Sequence, residues 1–427
     1  MRVLVIGSGG REHAIIRKIA QSPLASAVYA LPGNPGITEA ICVPGDPMDN
    51  AATVRAALEQ RIDFCVVTPD DPLANGLVDA LEEAGVRCFG PGRLAARIES
   101  SKVFAKDLMR RYGIPTASYA AFEELDQALA YAAEQPLPLV IKADGLAKGK
   151  GVVIAGTREE ARQALHAMMA QGAYGPGGGR VVIEEFLTGP EVSVLTLTDG
   201  RTLVPLVSAM DHKRALDGDL GANTGGMGAV APNPFYTGDI ARQCMDSIFL
   251  PTIRAMAAEG CPFAGCLFFG LILTPEGPKV LEYNARFGDP ETQAVLQLLS
   301  SDLLTALAAC REGSLTTEHV RLEAGYACCL VLASGGYPGH FDTGFPLTWE
   351  EGNAQLHFAG VREAGGQLVT AGGRVVGVTA AGASLQEAVD ACYHQAERVH
   401  FTGKAYRRDI GRKALMGKET PWYTVSL

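Results

Sequence analysis

Apolar and polar positions fall in short blocks along this chain, and the period changes wherever glycine or proline intervenes. Residues 3–6 are a compact apolar run that stops at Gly7-Ser8-Gly9-Gly10 and gives way to helical spacing at Ala14, Ile15 and Ile19. The pattern reads as strand, tight turn, helix. Residues 64–67 repeat it, passing through Thr68-Pro69-Asp70-Asp71-Pro72 into a helix over about 73–84 and a further strand at 86–89. Strands alternating with helices predict a parallel sheet covered on both faces, with ligand-facing loops at the strand ends.

A helix is expected over 99–112, carrying Ser101-Lys102 and stopped by Gly113-Ile114-Pro115. Residues 139–142 form a short strand ending at Lys142. The run Asp144, Gly145, Lys148, Gly149, Lys150, Gly151 follows. Its glycines are one residue too close for a P-loop, and Gly151 stands where a hydroxyl should hold the metal. A glycine-rich loop with two lysines between two strands reads instead as a flap over phosphates. Thr157 and Glu160 make a capping box for the next helix. Residues 180–187 form a strand ending in Glu184, Glu185, Phe186 and Leu187, with Glu191 beyond. This end could seat a flat base with acids for an amino group and ribose hydroxyls, or simply be a strand with solvated glutamates. Further on come a helix at 239–258, a long strand at 263–273 and a helix at 302–310. From residue 326 a strand-rich terminal region with glycine turns predicts an antiparallel-rich cap.

The densest chemistry lies at residues 281–292. Glu282 and Asn284 are two apart on an expected strand and share a face. Arg286 can reach the same space, and Gly288-Asp289-Pro290 breaks the strand and starts a helix at Pro290, followed by Glu291. A carboxylate, an amide oxygen and a guanidinium at one strand end suit magnesium on nucleotide phosphates. A solvated strand edge is the plainer alternative. Two other segments add to it. Asp211-His212-Lys213-Arg214 is a run of ionisable residues, and Asn223-Thr224-Gly225-Gly226-Met227-Gly228 offers backbone N–H groups to an anion. Lys213 and Arg214 beside such a nest would suit a carboxylate becoming an acyl phosphate. His212 alone reads as a packing or capping residue. Near the N-terminus, Gly9 and Gly10 head a helix with Arg11, a seat for a phosphate or else a tight turn with no ligand. Glu12 occupies the third glycine position of the dinucleotide fingerprint, which argues against NAD. Asp70 and Asp71 could contact a sugar or amine, or merely cap their helix.

Composition bounds these readings. A chain of 427 residues exceeds one growing core, so several domains are expected. With 47% hydrophobic and 20% charged residues it can bury large cores, and a net charge of −10 argues against a general nucleic-acid binder. The 10 cysteines have no metal-ligand spacing and read as small buried hydrophobes of a reducing compartment. No signal segment or membrane span is evident, so a cytoplasmic protein is expected.

Taken in order, Gly7 to His13, Pro32-Gly33-Asn34, Lys142 to Ala147, Asp211 to Arg214, Asn223 to Gly228 and Arg286 to Gln293 give a sequence that resembles the phosphoribosylamine-glycine ligase family of the ATP-grasp superfamily, end to end. The resemblance implies an α/β chain with an N-terminal parallel-sheet domain over 1–100, a two-lobed ATP-grasp region over 101–325 with a lid at about 120–190, and a C-terminal mixed α+β cap over 326–427. It implies ATP-dependent joining of glycine to 5-phosphoribosylamine through glycyl phosphate, with Mg²⁺ or Mn²⁺, in purine biosynthesis. On matching positions, Lys102, Lys142, Asp144, Gly145, Lys148, Gly149 and Gly151 would attend the phosphates. Glu184, Glu185, Phe186 and Leu187 would hold adenine and Glu191 the ribose; Glu282 and Asn284 would bind the metal. Arg286, Lys213 and Arg214 would serve catalysis. Gly9, Gly10, Arg11, Glu12, Asp211, Asn223, Thr224, Gly225, Gly226, Asp289, Pro290 and Glu291 would line the substrates. Asp70 and Ser8 depart from the family's usual glutamate and asparagine. No fused second enzyme is expected beyond Gly411, and transient contact with the enzyme producing phosphoribosylamine stays open. The rivals are a sibling ATP-grasp ligase on another purine intermediate and a non-catalytic nucleotide-binding regulator. The Asp211 and Asn223 segments speak against the first, and the presence of both Glu282 and Asn284 against the second.

Overall fold

The computed structural model describes residues 1–146, 151–171 and 179–417. The first sheet runs in the order Ile41–Cys42, Ala27–Pro32, Arg2–Gly7, Phe64–Val67, Arg87–Phe89, parallel throughout. Val3, Val5, Ile6 and Val66 are fully buried, which is why these strands read as unbroken apolar runs. The chain winds outward from Arg2–Gly7 on one side and returns to pair Phe64–Val67 on the other. The winding reverses there, opening a crevice beyond the carboxyl ends of both strands. The Gly7–Gly10 turn and Asp70 lie at those ends.

Two four-stranded antiparallel sheets follow. One has the order Tyr119–Phe122, Val181–Glu185, Leu139–Ala143, Val152–Ala155; the other has Leu203–Pro205, Glu191–Thr198, Gly265–Thr274, Gly277–Asn284. A third antiparallel sheet orders Met210–Asp211, Gly228–Ala231, Tyr326–Ser334, Arg374–Gly382 and Gln355–Phe358. The terminal region is therefore antiparallel as expected, but its sheet is continued by strands from the middle of the chain.

Several expected helices are interrupted for identifiable reasons. The helix expected over 99–112 is two, Arg93–Ser100 and Lys102–Tyr112, because Ser101 turns extended and its Oγ accepts the Phe104 N–H at 3.1 Å. The one expected over 73–84 is Asp70–Ala74 and Leu77–Glu83, split at Gly76, whose φ of +82° favours glycine. The long helix after residue 238 holds a π turn at Met245–Phe249. Nine cysteines are buried free thiols; Cys42 is exposed, contrary to expectation, because it sits on the short edge strand Ile41–Cys42. No helix among the described residues is long and apolar enough to cross a membrane.

The third sheet docks on the first domain by an unusual seam. Strand Gln355–Phe358 is an edge strand, and its outward backbone groups are satisfied by side chains. Phe358 N–H donates to His13 Nδ1 at 3.0 Å, Asn34 Nδ2 donates to Phe358 O at 3.0 Å, and Arg17 Nη1 to Leu356 O at 3.5 Å. Because Nδ1 accepts, the ring proton lies on Nε2, facing Glu39 at 3.2 Å. Burial lowers the His13 pKa, in keeping with a neutral ring.

Arg407, 1% exposed, ties the chain's last described segment to the hairpin at 214–223. It pairs with Asp219 at 2.9 Å and Asp409 at 2.8 Å and donates to Arg214 O at 3.1 Å. Arg407→Met removes the cation of Asp409 and one of the two cations of Asp219, which keeps Lys413, and is expected to lower stability by about 3 kcal/mol, read from urea unfolding. Against burial, hydrogen bonds from Arg407 hold Asp409 down at about 2 from 3.8. A depressed carboxyl stabilises above its unfolded value, so this contribution is expected to vanish as pH falls from 3.8 through about 2, and Asp409→Asn should flatten stability across that window.

Candidate active site

A buried carboxylate organises the lysines of the site. Glu184, 2% exposed at the end of Val181–Glu185, lies 2.9 Å from Lys142 Nζ and 2.9 Å from Lys106 Nζ. Lys106 is one turn beyond Lys102 on the same helix face and also donates to Thr116 Oγ1 at 2.8 Å. Against burial, Lys142 and Lys106 hold the Glu184 carboxyl below its ordinary range, and burial brings Lys106 down to about 8. One acid thus serves two cations, leaving net positive charge. Lys142 reaches across to Leu281 O at 3.1 Å, and Lys102 donates to Gly145 O at 2.8 Å.

These contacts revise three expectations. The Glu184 carboxylate is committed to lysines, and Glu185 Oε1 accepts from Ser118 N–H at 2.8 Å, so neither side chain stands open to a base; the chain leaving the strand at Phe186 and Leu187 is what remains there. Asp144 is taken up within the chain: it accepts from Val103 N–H at 3.1 Å and pairs with Arg180 at 2.6 Å, anchoring the Lys102 helix. Lys148 and Gly149 of the expected flap lie outside the described residues. Gly151 immediately precedes the return strand Val152–Ala155, its carbonyl accepting from Ala143 N–H at 2.9 Å, and that strand pairs antiparallel with Leu139–Ala143.

Glu282 and Asn284 leave the strand Gly277–Asn284 on one face while Tyr283 between them is buried against Phe269. Glu282 Oε1 lies 3.2 Å from Lys213 Nζ, which also pairs with Glu191 at 3.2 Å. The Lys213 charge, opposed by burial and aided by Lys142 and Lys102, holds Glu282 down to about 2. Asn284 Oδ1 accepts a long bond of 3.4 Å from Arg286 Nη2. An ionised carboxylate and an amide oxygen beside lysines suit a hard divalent cation that takes its other ligands from phosphate oxygens. Among the described residues no cluster of three His, Cys, Asp or Glu could hold a metal by itself.

Arg286 pairs with Glu99 at 3.1 Å, donates to Phe287 O at 3.2 Å and keeps its Nε buried without a partner. Burial pushes the Glu99 carboxyl up to about 7 against the Arg286 charge, with Asp70 adding to the rise. Asp70, at the start of its helix, therefore shares the Arg286 neighbourhood. Asp211 and Glu291 form a second acidic pair. Burial and the Glu291 charge raise Asp211, whose buried Oδ1 has no hydrogen-bond partner, while Glu291 Oε1 accepts from Ser193 Oγ at 3.0 Å.

Three further expectations change. Arg214 donates to Gly221 O at 2.8 Å in its own hairpin, so Lys213 enters the site and Arg214 does not. The segment Asn223–Gly228 is no open anion nest. Thr224 N–H bonds Lys213 O, Gly225 N–H bonds Tyr337 Oη and Gly226 N–H bonds Thr224 Oγ1. Its carbonyls face Arg374, which also pairs with Asp289 at 2.7 Å. Pro290 caps its helix instead of starting it, with Glu291–Val295 helical. At the first turn, Gly9 N–H is taken by Glu12 Oε2 at 2.8 Å, and Glu12 Oε1 binds Arg11 Nε and Thr68 Oγ1. The seat is partly filled by the chain's own carboxylate. The N–H groups of Gly10 and Arg11, next in line, have no partner within the helix.

Lys106, Glu99, Tyr337 and Arg374 went unnoticed in sequence. Lys106 had a signal, four residues from Lys102 on one helix. The others contact segments far away in the chain and leave no local pattern.

Known proteins match this chain over nearly its whole length. Family models of phosphoribosylglycinamide synthetase match its N domain at residues 1–99, its ATP-grasp (A) domain at 100–292 and its C domain at 327–413. A phosphoribosylamine–glycine ligase of Mesorhizobium japonicum is 48% identical over 97% of this chain and 99% of that protein, and one of Allochromatium vinosum is 45% identical over 97% and 99%. The crystal structure of phosphoribosylamine–glycine ligase from Thermotoga maritima superposes with a TM-score of 0.86 at 36% identity, covering 96% of this chain and 100% of that one. The biotin carboxylase domain of Hydrogenobacter thermophilus 2-oxoglutarate carboxylase, 17% identical with a TM-score of 0.73 over 95% and 91%, shares the fold. The chain belongs to the phosphoribosylglycinamide synthetase family, an ATP-grasp family of ligases.

Proposed function

We propose that this chain joins glycine to 5-phosphoribosylamine, converting ATP to ADP and phosphate by way of glycyl phosphate, in the cytoplasmic synthesis of purines. The observation that carries this reading is a convergence. Lys102, Lys142 and Lys213 surround Glu282, while Arg286 and the acids Asp211 and Glu291 border the same strand end.

The chemistry follows from charge. Glycine's carboxylate is a poor electrophile, so one of its oxygens attacks the γ-phosphorus and ADP leaves. The amine nitrogen of phosphoribosylamine then attacks the acyl carbon, and phosphate departs with that oxygen. Lys102 and Lys142, held by Gly145 O and Glu184, are set to take the phosphates. Arg286, kept cationic by Glu99 against its burial, offers a buried donor where the transferring group gathers charge. Asp211 and Glu291 suit the ammonium of glycine, and the turn at Gly9–Glu12 with Asp70 the phosphoribosyl group. The chain leaving the Val181–Glu185 strand at Phe186 and Leu187 suits a flat adenine ring. Glu282 and Asn284 would hold Mg²⁺ or Mn²⁺, which when bound offsets phosphate charge. Alignment and exclusion of water do the rest; no covalent protein nucleophile is required.

The deciding experiment measures phosphate release with ATP, glycine and freshly generated phosphoribosylamine, each omitted in turn. Release is expected to need glycine, and turnover unaffected by its omission would end the reading. Glu282→Ala is expected to abolish turnover in a protein whose melting temperature is nearly unchanged; near-normal activity would remove Glu282 from the metal site. Lys106→Met frees Glu184 to draw Lys142 away from the nucleotide. It should raise the ATP KM about 10-fold while the KM for glycine stays close to that of the parent, read from initial rates.

A further inference from the structure

Arg374 is the point at which the terminal sheet enters the acceptor side of the site. It lies just after the turn Gly372-Gly373, at the start of the strand Arg374–Gly382. Its Nη2 pairs with Asp289 Oδ2 at 2.7 Å, and its Nη1 donates to Gly225 O at 2.6 Å and Asp289 O at 3.1 Å, with Gly226 O at 3.5 Å. One planar fork thus spans two segments more than sixty residues apart in sequence, the 223–228 loop and the 288–290 turn. Tyr337 completes the grip from the turn after the strand Tyr326–Ser334, its hydroxyl accepting the Gly225 N–H at 3.2 Å.

The bound segments form a roof. Gly226 has φ +106°, and a Cβ there would lie 2.3 Å from Pro290 Cδ and 2.9 Å from Asp211 Oδ1. The loop is therefore pressed on the Pro290 turn, directly over the unpartnered carboxylate oxygen of Asp211. Nothing in the loop's own hydrogen bonding holds it to that turn; Thr224 and Met227 bond back to Lys213 and His212. The hydrogen bonds that join the loop to Asp289 pass through Arg374.

We propose that Arg374 is a positioning residue for the acceptor half of the reaction. It clamps the 223–228 loop to the Asp289–Pro290 turn and so keeps water from the activated acyl group until the amine arrives. This rests on the acyl phosphate reading above. Loss of the clamp predicts uncoupling: ATP is still bound and cleaved, but part of the glycyl phosphate is hydrolysed, water adding to the acyl carbon and phosphate leaving, to regenerate glycine. Lysine in place of Arg374 keeps the charge beside Asp289 but lacks the fork that reaches the carbonyls together.

The test uses the full chain with ATP, Mg²⁺, radiolabelled glycine and freshly generated phosphoribosylamine, comparing phosphate released with labelled product formed. The parent should give a ratio near one. A parent that releases phosphate without glycine defeats the underlying reading and not the clamp. Arg374→Gln is expected to raise the ratio about threefold or more and the glycine KM about 10-fold, with MgATP affinity, titrated without acceptors, within about twofold of the parent. Arg374→Lys and Tyr337→Phe should fall between, and if Arg374→Gln does not fold they carry the test. A ratio of one with unchanged glycine KM in the folded variants would overturn the proposal. So would a loss of MgATP affinity in step with glycine KM, which marks general damage.

Discussion

The lysine cluster at this site depends on keeping a buried carboxylate, Glu184, ionised between Lys106 and Lys142 where burial would neutralise it. Glu282 is held down by Lys213, with Lys142 and Lys102 behind it, and Glu184 plays the same part for Lys142 and Lys106. Lys102, Lys106, Lys142 and Lys213 outnumber Glu184, Glu191 and Glu282, so the cluster carries a positive surplus that suits the polyphosphate proposed above. The acceptor side is built with the opposite bias. Asp211 and Glu291 are two acids sharing a buried space, and the boundary between the two halves runs through Lys213 and Arg286. A reaction that moves a phosphoryl group from a polyanion to an amino acid needs that gradient.

The architecture was legible wherever a physical signal is local. The parallel sheet showed itself in apolar runs buried on both faces, and Glu282 and Asn284 in the two-residue period of a strand. Gly76 and Ser101, which divide helices, are also local features, but their effect lies in a single residue's backbone angle that averaged periodicity does not register. The site was less legible for a different reason. Its side chains could be placed near one another from motifs, but which atom each would choose depends on neighbours from other segments. Glu184 chose Lys106 and Lys142 over a base, Asp144 chose Val103 and Arg180 over phosphate, and Glu12 chose Gly9. In each case the chain itself supplies the donors.

Asn223–Gly228 shows the same limit. Glycines flanked by Asn and Thr do expose amide groups, and the local inference was sound. Those amides found partners in Thr224 and in Tyr337, a residue more than one hundred positions later. What the loop presents to the rest of the molecule is its carbonyls, and the cation meeting them comes from a strand that carried no motif.

The seam between the first domain and strand Gln355–Phe358 has a consequence for the molecule's behaviour in a crowded solution. A row of bare amides and carbonyls along a sheet margin is a template onto which a neighbouring polypeptide can add. Here His13, Asn34 and Arg17 take that row with side-chain atoms, which cannot propagate a ladder. The margin is blunted by polar groups that belong to another part of the same chain, so parting the two regions bares the edge again.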